Sequence, residues 1–376
     1  MARPLHTLRA VARQTPGIRR ALRFANTVRQ VPEAVRLATD PDQSRTLYPE
    51  ARRKGPRERV GDHLRYLFRH GETDSRYYVY GLDRAGVGQD AVVEYPEFRR
   101  IRDRGHAARS PNGLNYACVM EDKYLFGQVA ASFGFPVPRN LAFVERGLVE
   151  WIGERERHPL SALVERDLDG FCKPFAGISS RGAFALRAQD GALSIDGTPA
   201  TLDDLRSRLN ERYLVQERVR QHPDLARFHP PSINTLRVTT VLEEQGARVF
   251  RTILRTGRGG ASFDGLGAGG IGVAVDVESG YLDARGLARL GQDPGWYDRH
   301  PDTGVAFDGL SLPFFAEAKA LSCRFHEALP FFHTVGWDVA ITPEGPLIIE
   351  GNENWGATVH MSIEPNFKEH FLALYR

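Results

Sequence analysis

The chain has 376 residues, 41% of them hydrophobic and 26% charged, with a formal net charge of +3. That length holds two or three domains' worth of core, and the composition is that of an ordinary globular protein. No apolar run approaches the ~18 residues of a membrane span. The opening MARPLHTLRAVARQ lacks the continuous apolar stretch of a signal peptide, and Cys118, Cys172 and Cys323 are scattered. Neither a disulfide framework nor a cysteine zinc site is expected, and the expected compartment is the cytoplasm.

Nearly all the basic residues are arginine. Lysine occurs only at Lys54, Lys123, Lys173, Lys319 and Lys368. Against that background a lysine at a motif position carries weight, because a compact ammonium meets a phosphate differently from a planar guanidinium.

Residues 1–60 are rich in Arg and Pro. Ile18–Phe24 and Val31–Leu37 read as short amphipathic helices. A cationic helix of this kind packs on the body of the protein, lies on a membrane surface or meets a partner. No basic–aromatic stacking pattern supports nucleic acid. Residues 61–110 continue as helix through His63–Arg69 and Tyr95–Arg104. Pro111-Asn112-Gly113 breaks the chain. Met120–Phe133 then reads as a helix, with Glu121 and Asp122 in its first turn and Gly134 as its stop. Pro136-Val137-Pro138 leads into extended chain.

Strands dominate from there. Gly170–Pro174 is a short strand ending in a Gly/Ser loop, and Ala183–Ala188 is its return. Leu202–Leu209 is helical and Tyr213–Val219 is a strand. Ser232–Leu242 alternates as a strand should, with Val249–Thr256 as its hairpin partner. Arg258–Gly272 is a Gly-rich loop, long enough for a lid and offering Arg258 and Asp264 as substrate contacts. Gly272–Val277 and Tyr281–Ala284 form a further hairpin. Pro313–Leu329 is a helix. Val335–Ile341 and Pro346–Glu350 make the last hairpin, and a helix near Phe367–Tyr375 follows it. The class is α+β, without regular βαβ alternation.

Four elements carry chemistry. Asp338 sits mid-strand, and Glu350 ends an apolar strand twelve residues later. Paired strands can bring the two carboxylates side by side, with Asn352 on the same face as Glu350. Three such oxygen ligands suit hard Mg²⁺, completed by phosphates and water; the alternative is exposed strand ends and a turn residue. Lys123 opens a helix, and Lys173 precedes the loop from Phe175 to Gly182, where Ser179, Ser180 and backbone N–H groups can cradle phosphates. A plain hairpin turn is the other reading. Gln216 and Glu217 are polar residues inside an apolar strand, suited to an adenine edge together with Val219, or to an ordinary half-exposed strand. Asn234-Thr235-Leu236-Arg237 is a strand with an interior arginine. Arg237 can clamp a phosphoryl oxygen or form a structural ion pair.

In this order the elements resemble the ATP-grasp superfamily. More narrowly, the Asn-Thr-Leu-Arg strand and Gly269-Gly270-Ile271 before Asp276 resemble its sugar-transfer-associated group. The resemblance implies two α+β subdomains sandwiching ATP: residues 111–218 with the lysines and phosphate loop, and 219–376 with the metal strands. Residues 1–110 are a helical region for substrate or partner docking. It implies ATP and Mg²⁺ as cofactors. Lys123, Lys173, Ser179, Ser180, Gln216, Glu217, Val219 and Asn234 would bind the nucleotide, and Asp338, Glu350 and Asn352 the metal. Arg237 and Lys173 would act in catalysis. The implied activity is an ADP-forming carboxylate–amine ligase working through an acyl phosphate, on small-molecule, glycan or peptide substrates. A small-molecule or sugar kinase and a non-catalytic nucleotide-binding component are the alternatives. Two features depart from the superfamily pattern: the Arg-rich helical start, and Gly351 where a larger apolar residue is more common.

Overall fold

The computed structural model describes residues 16–42, 44–110, 113–175, 182–289, 293–364 and 366–376. The chain divides into two compact units. One runs to Phe98 and takes in the stretch ending at His370; the other comprises Arg99–Glu364 and Phe371–Arg376.

The first unit is helical, as expected: helices span Pro16–Arg29, Val31–Thr39 and Pro56–His70. The last starts at Pro56, whose fixed φ suits a first helical turn, and stops at Gly71 in the left-handed conformation (φ 77°). Its inner face is polar as well as apolar. Asp62 accepts hydrogen bonds from Lys54 Nζ at 2.7 Å, Arg65 Nη1 at 2.8 Å and Tyr77 Oη at 2.7 Å. Lys54 is thereby committed to a structural ion pair.

The second unit holds two antiparallel sheets. The first contains β1 (Asn140–Glu145), β2 (Leu148–Trp151), β3 (Arg157–Pro159), β4 (Leu168–Pro174), β5 (Phe184–Gln189), β6 (Ala192–Ile195), β7 (Thr198–Ala200) and β8 (Tyr213–Glu217). Their order is β3-β2-β1-β8-β4-β5-β6-β7. The second contains β9 (Thr235–Glu243), β10 (Gly246–Thr256), β11 (Ile271–Val275), β12 (Leu282–Ala288), β13 (Gly295–Tyr297), β14 (Thr334–Thr342) and β15 (Gly345–Asn352), ordered β13-β12-β11-β10-β9-β14-β15. Each sheet covers its own apolar core. Val144, Cys172, Leu186 and Val215 fill the first; Leu236, Val238, Phe325, Val339 and Ile348 fill the second. No helix among the described residues is long and apolar enough to cross a membrane.

The expected helix over Met120–Phe133 is two helices, Ala117–Glu121 and Lys123–Ser132. Asp122 is extended (φ −85°, ψ 106°) and accepts from Tyr124 N at 3.0 Å and Leu125 N at 2.8 Å. A carboxylate that satisfies two first-turn N–H groups is an N-cap, so the chain restarts there. The strand expected to reach Val219 ends at Glu217, with Arg218 N still bonded to the carbonyl of Asp169 on β4 at 3.1 Å.

Candidate functional site

The site begins with a register. On β14 and β15, Thr342 pairs Gly345 and Val339 pairs Ile348, but Asp338 pairs Glu350 and Gly336 pairs Asn352. Ile349 is therefore an extra residue, a bulge in β15. Without it Asp338 would oppose Ile349. With it the two carboxylates face each other on one side of the sheet.

Asp338 is 4% exposed and well supplied with cations. Arg237 lies opposite it on β9 and donates from Nε to Oδ1 at 2.5 Å and from Nη2 to Oδ2 at 3.0 Å. Arg255 on β10 pairs with Thr235, two residues from Arg237 and so on the same face. Its Nη1 donates to Asp338 Oδ1 at 2.8 Å, and its Nη2 to Asp264 Oδ1 at 3.2 Å. Asp264 in turn accepts from Thr235 N at 3.0 Å and from the Thr235 hydroxyl. Burial alone would raise the Asp338 carboxyl; the guanidinium groups of Arg237 and Arg255 instead hold it far below the usual carboxylate range. Glu350 is pushed the other way, first by burial and then by the facing charge of Asp338.

Arg255 escaped the sequence reading, although it carries the signal that marked Arg237: a charge inside an apolar strand, here Thr252-Ile253-Leu254-Arg255. Asp264, expected to meet substrate, faces inward. The Gly-rich stretch is also pinned by Gly259 N, which donates to Asp302 Oδ2 at 2.7 Å, and by Arg258, which donates to Asp293 O at 2.9 Å. Gly270 packs so closely that a Cβ there would lie 2.6 Å from Thr256 O. As a lid it is tied at several points.

The two lysines lie within electrostatic range of each other, and Lys173 within range of the acid pair. Lys173 lies near the end of β4 and is half-buried. Burial lowers its ammonium pKa; Glu350 and Asp338 oppose that, and Lys123 adds to it. Lys123, Lys173, Asp338 and Glu350 thus form one electrostatic cluster, drawn from a helix start and both sheets. Ser179 and Ser180 lie outside the described residues.

Gln216 is buried on β8. Its Nε2 donates to Asn140 Oδ1 at 2.8 Å, while its Oε1 has no hydrogen-bond partner among the described residues. Glu217 is exposed, 3.5 Å from Arg139, and Val219 lies just past the strand, half-buried. Asn234 is fully enclosed. Its Nδ2 donates to Gln221 Oε1, Leu225 O and His229 O at 2.9–3.2 Å, and its Oδ1 accepts from Ser232 Oγ at 3.1 Å and Gly257 N at 3.3 Å. Its side chain is spent on holding this loop rather than offered to a ligand.

Gly351 has a steric explanation. A Cβ there would lie 2.6 Å from Met120 Sδ and 3.0 Å from Trp337 Cζ3. The helix Ala117–Glu121 rides directly on β15, and Gly351 makes the room.

Among the described residues, no group of three or more His, Cys, Asp or Glu can hold a metal ion. Asp338 and Glu350 are two carboxylates, and Asn352 sits beside them with Nδ2 3.4 Å from Glu350 Oε1. Two facing acids, one with its pKa raised by the other, suit a hard divalent cation that brings further oxygens of its own.

A family model described as sugar-transfer-associated ATP-grasp matches residues 108–370. The chain belongs to this ATP-grasp family. The match takes in both sheets, and the fold is the ATP-grasp fold preceded by a helical region. No curated protein matches the chain. Among solved structures it is similar to D-alanyl-alanine synthetase A from Vibrio cholerae (12% identity, 69% of this chain and 64% of that one, TM-score 0.39). It is similar to a D-Ala:D-Ser ligase from Enterococcus faecalis (14% identity, 68% and 62%, TM-score 0.38). It is also similar to N5-carboxyaminoimidazole ribonucleotide synthetase from Thermotoga maritima (15% identity, 68% and 49%, TM-score 0.37). The chain spans between 45% and 49% of the length of three carboxyaminoimidazole ribonucleotide synthetases and synthases that it matches.

Proposed function

We propose that this ATP-grasp protein is an ATP-dependent carboxylate–amine ligase that releases ADP and phosphate and acts in the cytoplasm. The observation that carries the reading is the opposed pair Asp338 and Glu350, set by the Ile349 bulge inside a cluster containing Lys123, Lys173, Arg237 and Arg255.

Lys123 and Lys173 hold the nucleotide phosphates; Ser179 and Ser180, outside the described residues, would add hydroxyl donors to them. Gln216 offers its unpartnered Oε1 to an amino group of the base, and Glu217 and Val219 line that edge. Asp338, Glu350 and Asn352 hold Mg²⁺, which when bound neutralises phosphate charge. Arg237, held against Asp338 in the same cluster, would spread the charge that develops as a substrate carboxylate takes the γ-phosphoryl group. An amine then displaces phosphate from that acyl phosphate. Residues 111–218 and 219–376 act as the two halves of the nucleotide site, and residues 1–110 serve substrate or partner docking.

The test is ADP release against a panel of carboxylic acids and amines, with mass spectrometry of the product. A coupled product containing both acid and amine supports ligation. A stable phosphorylated product that needs no second substrate makes the protein a kinase instead.

A further inference from the structure

The helix Pro16–Arg29 is built inside out for a helix packed on a protein. Helical spacing places Phe24, Val28, Ala21, Ala25 and Leu22 on one arc, and Asn26, Arg23, Thr27 and Arg20 on the other. Among the described side chains of this helix the buried one is Thr27, at 5% exposure on the polar arc; its hydroxyl donates to Arg23 O at 2.9 Å. Next in the chain, Gln30 Nε2 donates to Gly71 O at 3.1 Å, so the polar side is the seat of this segment. The apolar arc faces outward, with Phe24 63%, Leu22 54% and Val28 44% exposed.

Charge selects the partner. The first 29 residues contain seven arginines (Arg3, Arg9, Arg13, Arg19, Arg20, Arg23 and Arg29) and no Asp or Glu; the first acid is Glu33. On the helix, Arg20 borders Phe24 and Arg29 borders Leu22. An outward apolar arc flanked by arginine matches a bilayer interface, where apolar side chains enter the acyl boundary and cations meet anionic headgroups. A nucleic acid would take up the arginines and leave Leu22, Phe24 and Val28 unburied. A second copy of the helix would bring like charges together.

We propose that the helix Pro16–Arg29 docks the protein on an anionic lipid surface, lying in the interface without crossing it. Low overall hydrophobicity and cationic flanks make the attachment reversible and sensitive to salt.

The test is co-sedimentation of the full-length protein with phosphatidylcholine vesicles, with and without phosphatidylglycerol. Binding is expected only to the anionic vesicles, weakening as salt is raised. Phe24→Ser is expected to lower the partition about tenfold, and Arg20→Gln or Arg29→Gln about fivefold each. A Phe24→Trp reporter should shift its emission to the blue on anionic vesicles. Unchanged thermal unfolding checks that each exposed-site variant folds. Three results overturn the proposal. One is no binding to anionic vesicles. Another is binding indifferent to Phe24→Ser and Leu22→Ser together. The third is self-association or retention of duplex DNA by this segment without vesicle binding. None of these readouts depends on the nucleotide site, so the proposal stands or falls apart from the ligase reading.

Discussion

Arg237 and Asp338 stand opposite each other on neighbouring strands and meet through two hydrogen bonds, while Arg255 takes a third from the far side. Asp338 is thus the buried anion that two half-buried guanidinium groups require. Asp338→Asn leaves both without their full counter-charge and is expected to cost about 3–5 kcal/mol in urea unfolding without nucleotide. In the same variant, Mg²⁺-dependent binding of a fluorescent ADP analogue should weaken by at least about tenfold, or ~1.4 kcal/mol. If neither quantity moves, the site is misplaced.

Arg255 joins Asp338 to Asp264 and so ties the acid pair to the Gly-rich stretch. Arg255→Met and Asp264→Asn should be non-additive in unfolding free energy, with a coupling of about 1–3 kcal/mol. Two additive losses would show that the bridge contributes nothing beyond its separate bonds.

The close approach at Gly351 is open to a simple test. Gly351→Ala should lower stability by about 1–3 kcal/mol through overpacking on Met120 and Trp337. In a Met120→Ala background the same change should cost much less. Equal losses in both backgrounds would mean that the contact with Met120 does not limit the position.

A buried and a half-buried histidine in the second unit, His326 and His106, give the stability a definite pH dependence. Burial lowers His326 from the ordinary 6.5 to about 3, and His106 to about 4. Burial keeps both neutral, against the backbone carbonyls of Phe332 and Glu353, which favour the charged forms. His326 Nδ1 lies 2.8 Å from Thr240 Oγ1, which also accepts from Trp337 Nε1 at 2.8 Å; His106 Nδ1 accepts from His333 N at 3.2 Å. The unfolded chain takes up protons below about 6.5, where the folded one does not. Their contribution is therefore complete above that pH and drains away as pH falls toward 3–4, by up to ~1.4 kcal/mol per pH unit for each histidine. Denaturation midpoints between neutral and mildly acidic pH should follow this slope. His326→Gln should flatten it, and an unchanged slope would refute the assignment.

Gln216 supplies a specificity test. With its Oε1 turned to an amino group on the base, Gln216→Leu should weaken ATP binding about tenfold, ~1.4 kcal/mol, and narrow the preference for ATP over GTP. Equal losses for the two nucleotides would remove Gln216 from base recognition.

How much was legible in the sequence follows from the range of each signal. Helix stops, strand alternation and the acid spacing are local, and they located six of the seven strands of the second sheet, missing the short β13 and half of β12. The site needed non-local information. The Ile349 bulge that sets Glu350 opposite Asp338 has no local signature, since Leu347-Ile348-Ile349 reads as an even apolar run. Asn234 looked like a ligand contact because polarity in a strand start marks either a site or a hub. Only its five enclosed bonds decide between them. Strands β1 to β3 are short and built around turns, and the sequence offered only extended chain after Pro138.

The enclosed Asn234 loop also settles where the two sheets can turn on each other. From Gln221 onward the chain is locked to the second sheet, through Asn234 and through His222 N to Ile341 O at 2.8 Å. Arg218 is still bonded to the first sheet. On the other crossing, Pro136 O accepts from Ile348 N on the second sheet, and Arg139 O accepts from Glu217 N on the first, both at 2.9 Å. Only Val219–Arg220 and Val137–Pro138 are left between the fastenings, lying side by side. They are two pins of one door. Any change in the angle between the sheet bearing Lys173 and the strands bearing Asp338 and Glu350 has to be taken up in those two short segments.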